Sequence, residues 1–244
     1  MMKFNLQGGN TDLEIELKRS KEYYDWSNEG KPDSLKTEII FCKDPDACPV
    51  GTVEWVEQEL GYEPAPLNLE DLDFNIVGRE YGYFEGNQVP KIDLPRVYVK
   101  SRTKVKHQEN GWHKPGELLM PGSYTWFEEF KSPIVGEYRV FLDRNGEILD
   151  IKNYIGYKYW PSIERVKVIA KNLYKKYNRA FSFDVVVLRN GLTYLLEIHD
   201  YWALRLYGFS NVQKLPFLLW DWFKNDSSLD FIRSLNSFSR ICLF

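Results

Sequence analysis

Apolar residues recur at helical spacing in two segments of the chain. Residues 53–60 carry apolar side chains at i, i+3 and i+7, between a threonine that can cap the first turn and a glycine that can end the helix. Residues 163–177 keep a longer apolar stripe behind a serine cap. We therefore predict two amphipathic helices, and the aromatic residues 216–223 add a short third helix.

Alternating apolar and polar positions predict strands, and two Asn-Gly pairs predict that four of these strands form tight hairpins. The paired segments are 138–143 with 147–151, and 183–188 with 193–198. Further strands are predicted over 38–42, 97–100 and 124–130. Residues 1–37 are polar and give only a weak helical or hairpin signal.

The order of these elements predicts an α+β protein in three parts. Strand, turn and helix over 38–61 suggest an α/β unit in an N-terminal domain, which we place at 1–94. The strand-rich main domain is predicted over 95–225, after prolines at 90 and 95. An amphipathic tail, 226–244, completes the chain.

Composition places the chain among ordinary globular proteins. Hydrophobic residues make up 43% and charged residues 27% of the 244 positions. The three cysteines, Cys42, Cys48 and Cys242, are odd in number and lack CxxC spacing, which argues against a disulfide framework or a zinc site, although a Cys42–Cys48 bridge stays open. No run of 18 apolar residues and no signal-peptide pattern occurs, so we expect a cytoplasmic protein without membrane contact.

Charge is distributed unevenly. The net charge of −3 gives no reason to expect nucleic-acid binding. Residues 96–120 nevertheless hold an excess of lysine and arginine over acidic residues. A local positive strip in an acidic protein suits a compact anion such as a polyphosphate.

The second hairpin carries the strongest chemical signal. Asp184 opens one of its strands and Glu197 lies near the end of the other, so the two residues should be roughly opposite one another. Two carboxylates brought together in an apolar hairpin repel unless a cation lies between them. Mg²⁺ prefers one or two carboxylates together with phosphate oxygens. The alternative is that each acid ends its strand in solvent.

This hairpin resembles that of the ATP-grasp superfamily, in which an Asp on one strand and a Glu-x-Asn on the next hold metal ions against the ATP phosphates. The step of thirteen from Asp184 to Glu197 fits, and the third position falls on His199 instead of the usual Asn. The resemblance implies Asp184, Glu197 and His199 as metal ligands. An imidazole prefers softer ions than Mg²⁺, so Mn²⁺ is an alternative, and full activity is left open. Residues 197 and 199 share a strand face, so we expect His199 to face the site and Asp200 to point elsewhere.

Two upstream strands also resemble the family. Residues 137–142 look like a strand of small ATP-grasp proteins, which implies that Arg139 binds phosphate; a cross-strand ion pair with a neighbouring acid is the alternative. Residues 97–100 resemble the first-lysine strand, which implies that Lys100 reaches the ATP phosphates. Lys104 or Lys106 would take the second-lysine role.

Two further segments carry parts of the resemblance. Residues 126–130 resemble the hinge that reads adenine, with Glu128 or Glu129 holding the ribose and Phe130 beside them. Residues 206–209 match a Tyr-Gly element of a small clade common in phage and bacteria, and Arg205 next to it would contact substrate or phosphate.

The resemblance implies an ATP-grasp fold, with a small N-terminal α/β domain followed by two antiparallel-sheet α+β subdomains that hold ATP between them. The implied activity is an ATP-dependent carboxylate–amine ligase that forms an amide through an acylphosphate, with ATP and Mg²⁺ bound and with Arg139 and Lys100 acting on the phosphates. Its substrates would be small-molecule or peptide carboxylates and amines. The alternatives are a catalytically impaired nucleotide-binding interaction protein, suggested by His199, and an ATP-dependent phosphoryl or nucleotidyl transferase. The sequence indicates neither the substrates nor the oligomeric state.

Overall fold

A computed structural model describes residues 1–64, 67, 69, 72–102, 109–156 and 159–225 of the chain. The expectations for Lys104, Lys106 and the tail 226–244 lie outside the described residues. Within the described part, no helix has the length and apolar character needed to cross a membrane.

A small parallel sheet with two helices forms the N-terminal part. Its strands are β1 (Met2–Leu6), β2 (Ile39–Phe41) and β3 (Cys48–Val50), with β1 in the centre, and its helices are α1 (Asp12–Ser27) and α2 (Val53–Leu60). The predicted caps of α2 are confirmed, because the Thr52 side chain accepts a hydrogen bond from the Trp55 amide and Gly61 is left-handed. The helix α1, which the sequence only weakly indicated, begins with a capping box between Thr11 and Glu14.

The second sheet is antiparallel and has the order β4-β7-β5-β6. Its strands are β4 (Tyr81–Gln88), β5 (Val97–Ser101), β6 (Gly111–His113) and β7 (Leu118–Phe127), and the one-turn helix α3 (Phe74–Val77) precedes β4. The strand β4 lies inside the range 1–94 that we assigned to the N-terminal domain, yet Tyr81 pairs with Phe127 of β7. This sheet therefore contains residues from both sides of the expected boundary.

The third sheet contains both predicted hairpins and has the order β11-β10-β8-β9. Its strands are β8 (Ile134–Leu142), β9 (Ile148–Ile155), β10 (Phe181–Leu188) and β11 (Thr193–His199). The helix α4 (Ile163–Tyr177) has the predicted bounds and the predicted Ser162 cap. The last described helix is α5 (Leu215–Asn225).

The two faces of the third sheet differ in character. One face packs against α4, because the apolar residues of β10 at alternate positions, such as Phe183 and Val185, share a core with Val166 and Ile169. The intervening residues of β10, Ser182 and Asp184, therefore point to the opposite face. That opposite face carries the polar groups on which the functional argument depends.

A second core joins the N-terminal sheet to the rest of the molecule. Phe4 and Leu17 pack in one cluster with Phe141 of β8, Trp202 and residues of α5. Cys48 is buried in this cluster, and both it and Cys42 carry free thiols. The bridge between them that the sequence left open is therefore absent.

Candidate nucleotide and metal site

A β-bulge sets the register at the end of the second hairpin. Val185 pairs with Leu195, but Asp184 pairs with Glu197, so Leu196 is the extra residue. Without the bulge Asp184 would face Leu196, and the Glu197 side chain would lie on the other face of the sheet. Asp184 and Glu197 are therefore opposite one another, as predicted.

Three potential metal ligands converge at this point. One ligand atom each from Asp184, Glu197 and His199 lie within 4.8 Å of one another. The His199 Nε2 atom is 3.2 Å from Asp184 Oδ2 and 3.3 Å from Glu197 Oε2. Burial lowers the pKa of His199, which favours the neutral imidazole that a metal ion requires. Asp200 points away, as expected, and accepts a hydrogen bond of 2.8 Å from Arg179.

Asp184 is held by several donors at once. Arg139 donates from Nε to Oδ1 at 2.7 Å and from Nη2 to Oδ2 at 2.8 Å, and the Tyr154 hydroxyl donates to Oδ2 at 2.8 Å. Burial alone would raise the pKa of Asp184, but His199 and Arg139 outweigh it and hold the pKa well below its usual range. Asp184 is therefore an ionised carboxylate in a fixed orientation.

Arg139 makes the cross-strand ion pair that the sequence left as the alternative to phosphate binding. Its side chain is buried, and its remaining Nη1 atom donates to the Arg205 carbonyl oxygen at 3.0 Å. Its guanidinium carbon also lies 5.0 Å from the centre of the Tyr207 ring, which stacks on Tyr154 at 4.6 Å. Arg139 thus positions Asp184, while Arg205 contributes its carbonyl here and its side chain is exposed.

Lys100 approaches the cluster from the other antiparallel sheet. Its Nζ atom on β5 donates to Glu197 Oε2 on β11, so the two sheets face each other across a cleft. Burial raises the pKa of Glu197, and Lys100 outweighs this effect, so that the pKa is lowered. Lys100 is within reach of any anion that a metal on Glu197 would bind.

The predicted hinge connects the two sheets, since Glu128, Glu129 and Phe130 lie between β7 and β8. The Glu128 carboxylate accepts a hydrogen bond of 3.2 Å from the Glu80 amide. Glu129 forms an exposed ion pair with Arg96 at 2.7 Å. Phe130 is buried and stacks on Tyr194, with the ring centres 6.1 Å apart. The structure thus separates the two acids by their partners, and the choice of a ribose ligand stays a prediction.

Two residues of this region were not predicted from the sequence. Tyr154 belongs to β9, where no motif singled it out, and it contacts Asp184 only because β8 and β10 are neighbours in the sheet. Arg79 lies in the stretch before β4 that has no clear periodicity, yet its guanidinium is buried between the rings of Phe127 and Phe130. Burial lowers its pKa to about 10.

Comparison with known proteins identifies the family. No protein of curated function matches the chain in sequence. Among solved structures, N5-carboxyaminoimidazole ribonucleotide synthetase from Thermotoga maritima is 16% identical with a TM-score of 0.50, covering 90% of this chain and 76% of that one. D-alanine–D-alanine ligase from Bacillus anthracis is 14% identical with a TM-score of 0.44, covering 90% and 96%.

These likenesses bear on the fold alone. A family model described as an ATP-grasp domain, family 2 of its clade, matches residues 85–215, which is more than half of the chain. The α+β architecture of two antiparallel sheets around a cleft agrees with that match and confirms the predicted fold. The chain therefore belongs to the ATP-grasp superfamily, as a member of this clade's family 2.

Proposed function

We propose that this protein is an ATP-dependent ligase that joins a carboxylate to an amine through an acylphosphate. The observation that carries the proposal is the cluster of Asp184, Glu197 and His199 in the cleft, with Lys100 reaching it from the facing sheet. Ligand atoms within 4.8 Å of one another suit a single cation, and a cation on two carboxylates suits a bound triphosphate. Membership of the ATP-grasp superfamily supports the nucleotide as that triphosphate.

The donor set fits a divalent metal ion. Two carboxylates supply the oxygen ligands that Mg²⁺ prefers, and the imidazole at position 199 shifts the preference towards Mn²⁺. When bound, such an ion would neutralise charge on the β- and γ-phosphates. Arg139 and Tyr154 keep the Asp184 carboxylate oriented towards this position.

In the proposed reaction, an oxygen of the substrate carboxylate attacks the γ-phosphorus of ATP, and ADP leaves. The nitrogen of an amine then attacks the acyl carbon, the C–O bond to phosphate breaks, and inorganic phosphate and an amide result. Lys100 would leave Glu197 to contact the transferred phosphate, where its charge stabilises the transition state. The protein need supply no covalent nucleophile, and small-molecule or peptide carboxylates and amines are the proposed substrates.

Trapping the acylphosphate tests the chemistry directly. Incubation with ATP, Mg²⁺ or Mn²⁺, a panel of amino acids and peptides, and hydroxylamine should give a hydroxamate together with stoichiometric ADP. We expect Glu197→Gln to abolish both products. Stoichiometric ADP release without hydroxamate, at saturating hydroxylamine, would argue against an acylphosphate and for transfer of phosphate to another acceptor.

A second candidate is a nucleotide-binding interaction protein without turnover. Two observations favour it: His199 occupies the position where the family usually has Asn, and Lys100 and Arg139 already compensate both carboxylates. ADP binding that depends on Glu197, combined with no ADP release for any substrate in the panel, would support this reading over the first.

A further inference from the structure

Arg79 is a buried cation without a hydrogen-bonding partner in the described part of the chain. Its side chain is only 7% exposed, and its Nε atom reaches no acceptor there. Among the described residues the guanidinium makes no hydrogen bond or ion pair with any other side chain or backbone atom. A buried charge without compensation is unfavourable, so most buried arginines are paired. A retained arginine of this kind indicates that an anion completes its surroundings.

Two aromatic rings hold the guanidinium in place. Its central carbon lies 4.3 Å from the centre of the Phe127 ring and 4.4 Å from that of Phe130. Cation–π contacts of this kind stabilise the two flat faces of the group. Phe127 and Phe130 thus orient the guanidinium, but aromatic faces do not satisfy the hydrogen-bonding capacity of the N–H groups at its edge.

The backbone next to Arg79 is also fixed. Gly78 ends the helix α3 in the left-handed region, with φ +70°. A Cβ atom at this position would lie 2.3 Å from Cδ1 of Tyr194, so only glycine allows this close approach. Tyr194 in turn stacks on Phe130. Arg79 is therefore held rigidly against β11 before any ligand arrives, which is the preorganisation expected of a binding residue.

The position of Arg79 in the cleft indicates which anion it would bind. Phe127 and Phe130 bracket the hinge between the two sheets, where the ATP-grasp resemblance places the nucleotide. Glu197, a candidate metal ligand, is the acid whose charge acts on Arg79. A ligand that reaches both the hinge and a metal on Glu197 has to carry its negative charge between them, as a nucleoside polyphosphate does.

We infer that Arg79 binds a phosphate group of the nucleotide, as a cation additional to Lys100. This inference rests on the proposed function, because it takes the ligand of the cleft to be a nucleotide. The planar guanidinium can donate two parallel N–H groups to one phosphate, which an ammonium group cannot do.

The test compares Arg79→Met with the parent protein by titration calorimetry with ADP and Mg²⁺, together with the melting temperature of each nucleotide-free protein. We expect the dissociation constant for ADP to rise by about tenfold or more, since charge-assisted bidentate bonds to phosphate are lost. The melting temperature should stay at or above that of the parent, because an uncompensated buried charge is replaced by an apolar side chain of similar length.

Arg165→Met is the matched control. The Arg165 guanidinium lies 5.7 Å from the centre of the Tyr194 ring, at the far end of the same aromatic stack, but its Nε atom donates to the Thr193 carbonyl oxygen. This variant should bind ADP as the parent does. A lower melting temperature of Arg79→Met with an unchanged ADP constant would overturn the inference and assign Arg79 a purely structural role.

Adenosine separates phosphate binding from recognition of the base. If Arg79 stacked on adenine, the constants for adenosine and ADP would rise together in Arg79→Met, and that result would also overturn the inference. We expect the adenosine constant to change little. A parent protein that binds no ADP would contradict the proposed function itself, which is distinguishable from a parent that binds ADP and a variant that binds it equally well.

Discussion

At the scale of single residues, Asp184 is the most heavily constrained group of the site. Its Oδ1 atom accepts from Arg139, and its Oδ2 atom accepts from Arg139 and Tyr154 and lies 3.2 Å from the His199 imidazole. A carboxylate with so many donors has one available orientation and one charge state. Its role as a metal ligand therefore depends on residues that do not touch the metal.

Removal of Arg139 should expose this dependence. In Arg139→Met, Asp184 stays buried without its main cation, and we expect a loss of about 3–5 kcal/mol in the free energy of unfolding, measured with urea. The double variant Arg139→Met with Asp184→Asn removes both charges and should recover much of that stability. A single variant within about 1 kcal/mol of the parent would show that the pair is not needed to keep Asp184 ionised and buried.

The sequence identified the ligands of the site better than their supports. Asp184, Glu197 and His199 follow from one hairpin, because a turn and a spacing define which residues meet on neighbouring strands. The contact of Asp184 with Arg139 depends instead on β8 lying next to β10, with 45 residues between the two side chains. Strand order of this kind is set by packing of the whole sheet, which a local pattern does not encode.

At the scale of elements, the helix ends show how local chemistry and packing divide the work. The helices α2 and α3 both end in a left-handed glycine, Gly61 with φ +75° and Gly78 with φ +70°. A Cβ at Gly61 would meet nothing within 4 Å, whereas a Cβ at Gly78 would lie 2.3 Å from the Tyr194 ring. The two positions therefore differ only in their surroundings.

This difference gives a matched pair of variants. Gly61→Ala should lower the free energy of unfolding by about 1–2 kcal/mol, the cost of a left-handed alanine. Gly78→Ala should lower it by about 1–3 kcal/mol more, because the ring of Tyr194 has to move. Urea unfolding of both variants measures the difference, and equal losses would mean that α3 is not packed tightly against β11.

The elements predicted from the sequence are those with strong local signals. The helix α4 has caps and an unbroken apolar stripe, and both Asn-Gly turns define their hairpins. The strand β1 has only five residues, and α1 buries only a few positions among many charges, so neither produces a clear periodicity. The strand β4 was missed for a similar reason, because most of its residues are half-buried or exposed.

At the scale of the whole molecule, Lys100 and Glu197 connect the two antiparallel sheets across the cleft. The same contact occupies an oxygen of a candidate metal ligand. A nucleotide that draws Lys100 to its phosphates would release Glu197 for the metal, so nucleotide and metal should bind cooperatively.

Lys100→Met separates the two effects. Without its lysine, Glu197 has one fewer competing cation, and we expect Mn²⁺ to bind about threefold more tightly in the absence of nucleotide, a gain of roughly 0.7 kcal/mol. ADP should bind more weakly to the same variant, because a phosphate contact is lost. Lys21→Met removes an exposed lysine that pairs with Asp25 on α1 and serves as the control. Weaker Mn²⁺ binding to Lys100→Met would contradict the competition.

Contacts between sheets are the part of the site that the sequence could not supply. Residues 97–100 predicted a lysine strand, but which acid faced Lys100 depended on how the two sheets approach each other. Arg79 had no signal in the sequence, because a buried charge that lacks compensation is recognised only when its surroundings are known.

The most direct test of the central claim is titration calorimetry of ADP in the presence of Mn²⁺, for the parent protein and for Glu197→Gln. The account predicts saturable binding to the parent, with about 2.7 kcal/mol of added stability at 100 times the dissociation constant. It also predicts that Glu197→Gln loses the metal-dependent part of the affinity while remaining folded. Parent protein that binds neither ADP nor Mn²⁺, or a Glu197→Gln variant that binds both as tightly as the parent, would contradict it.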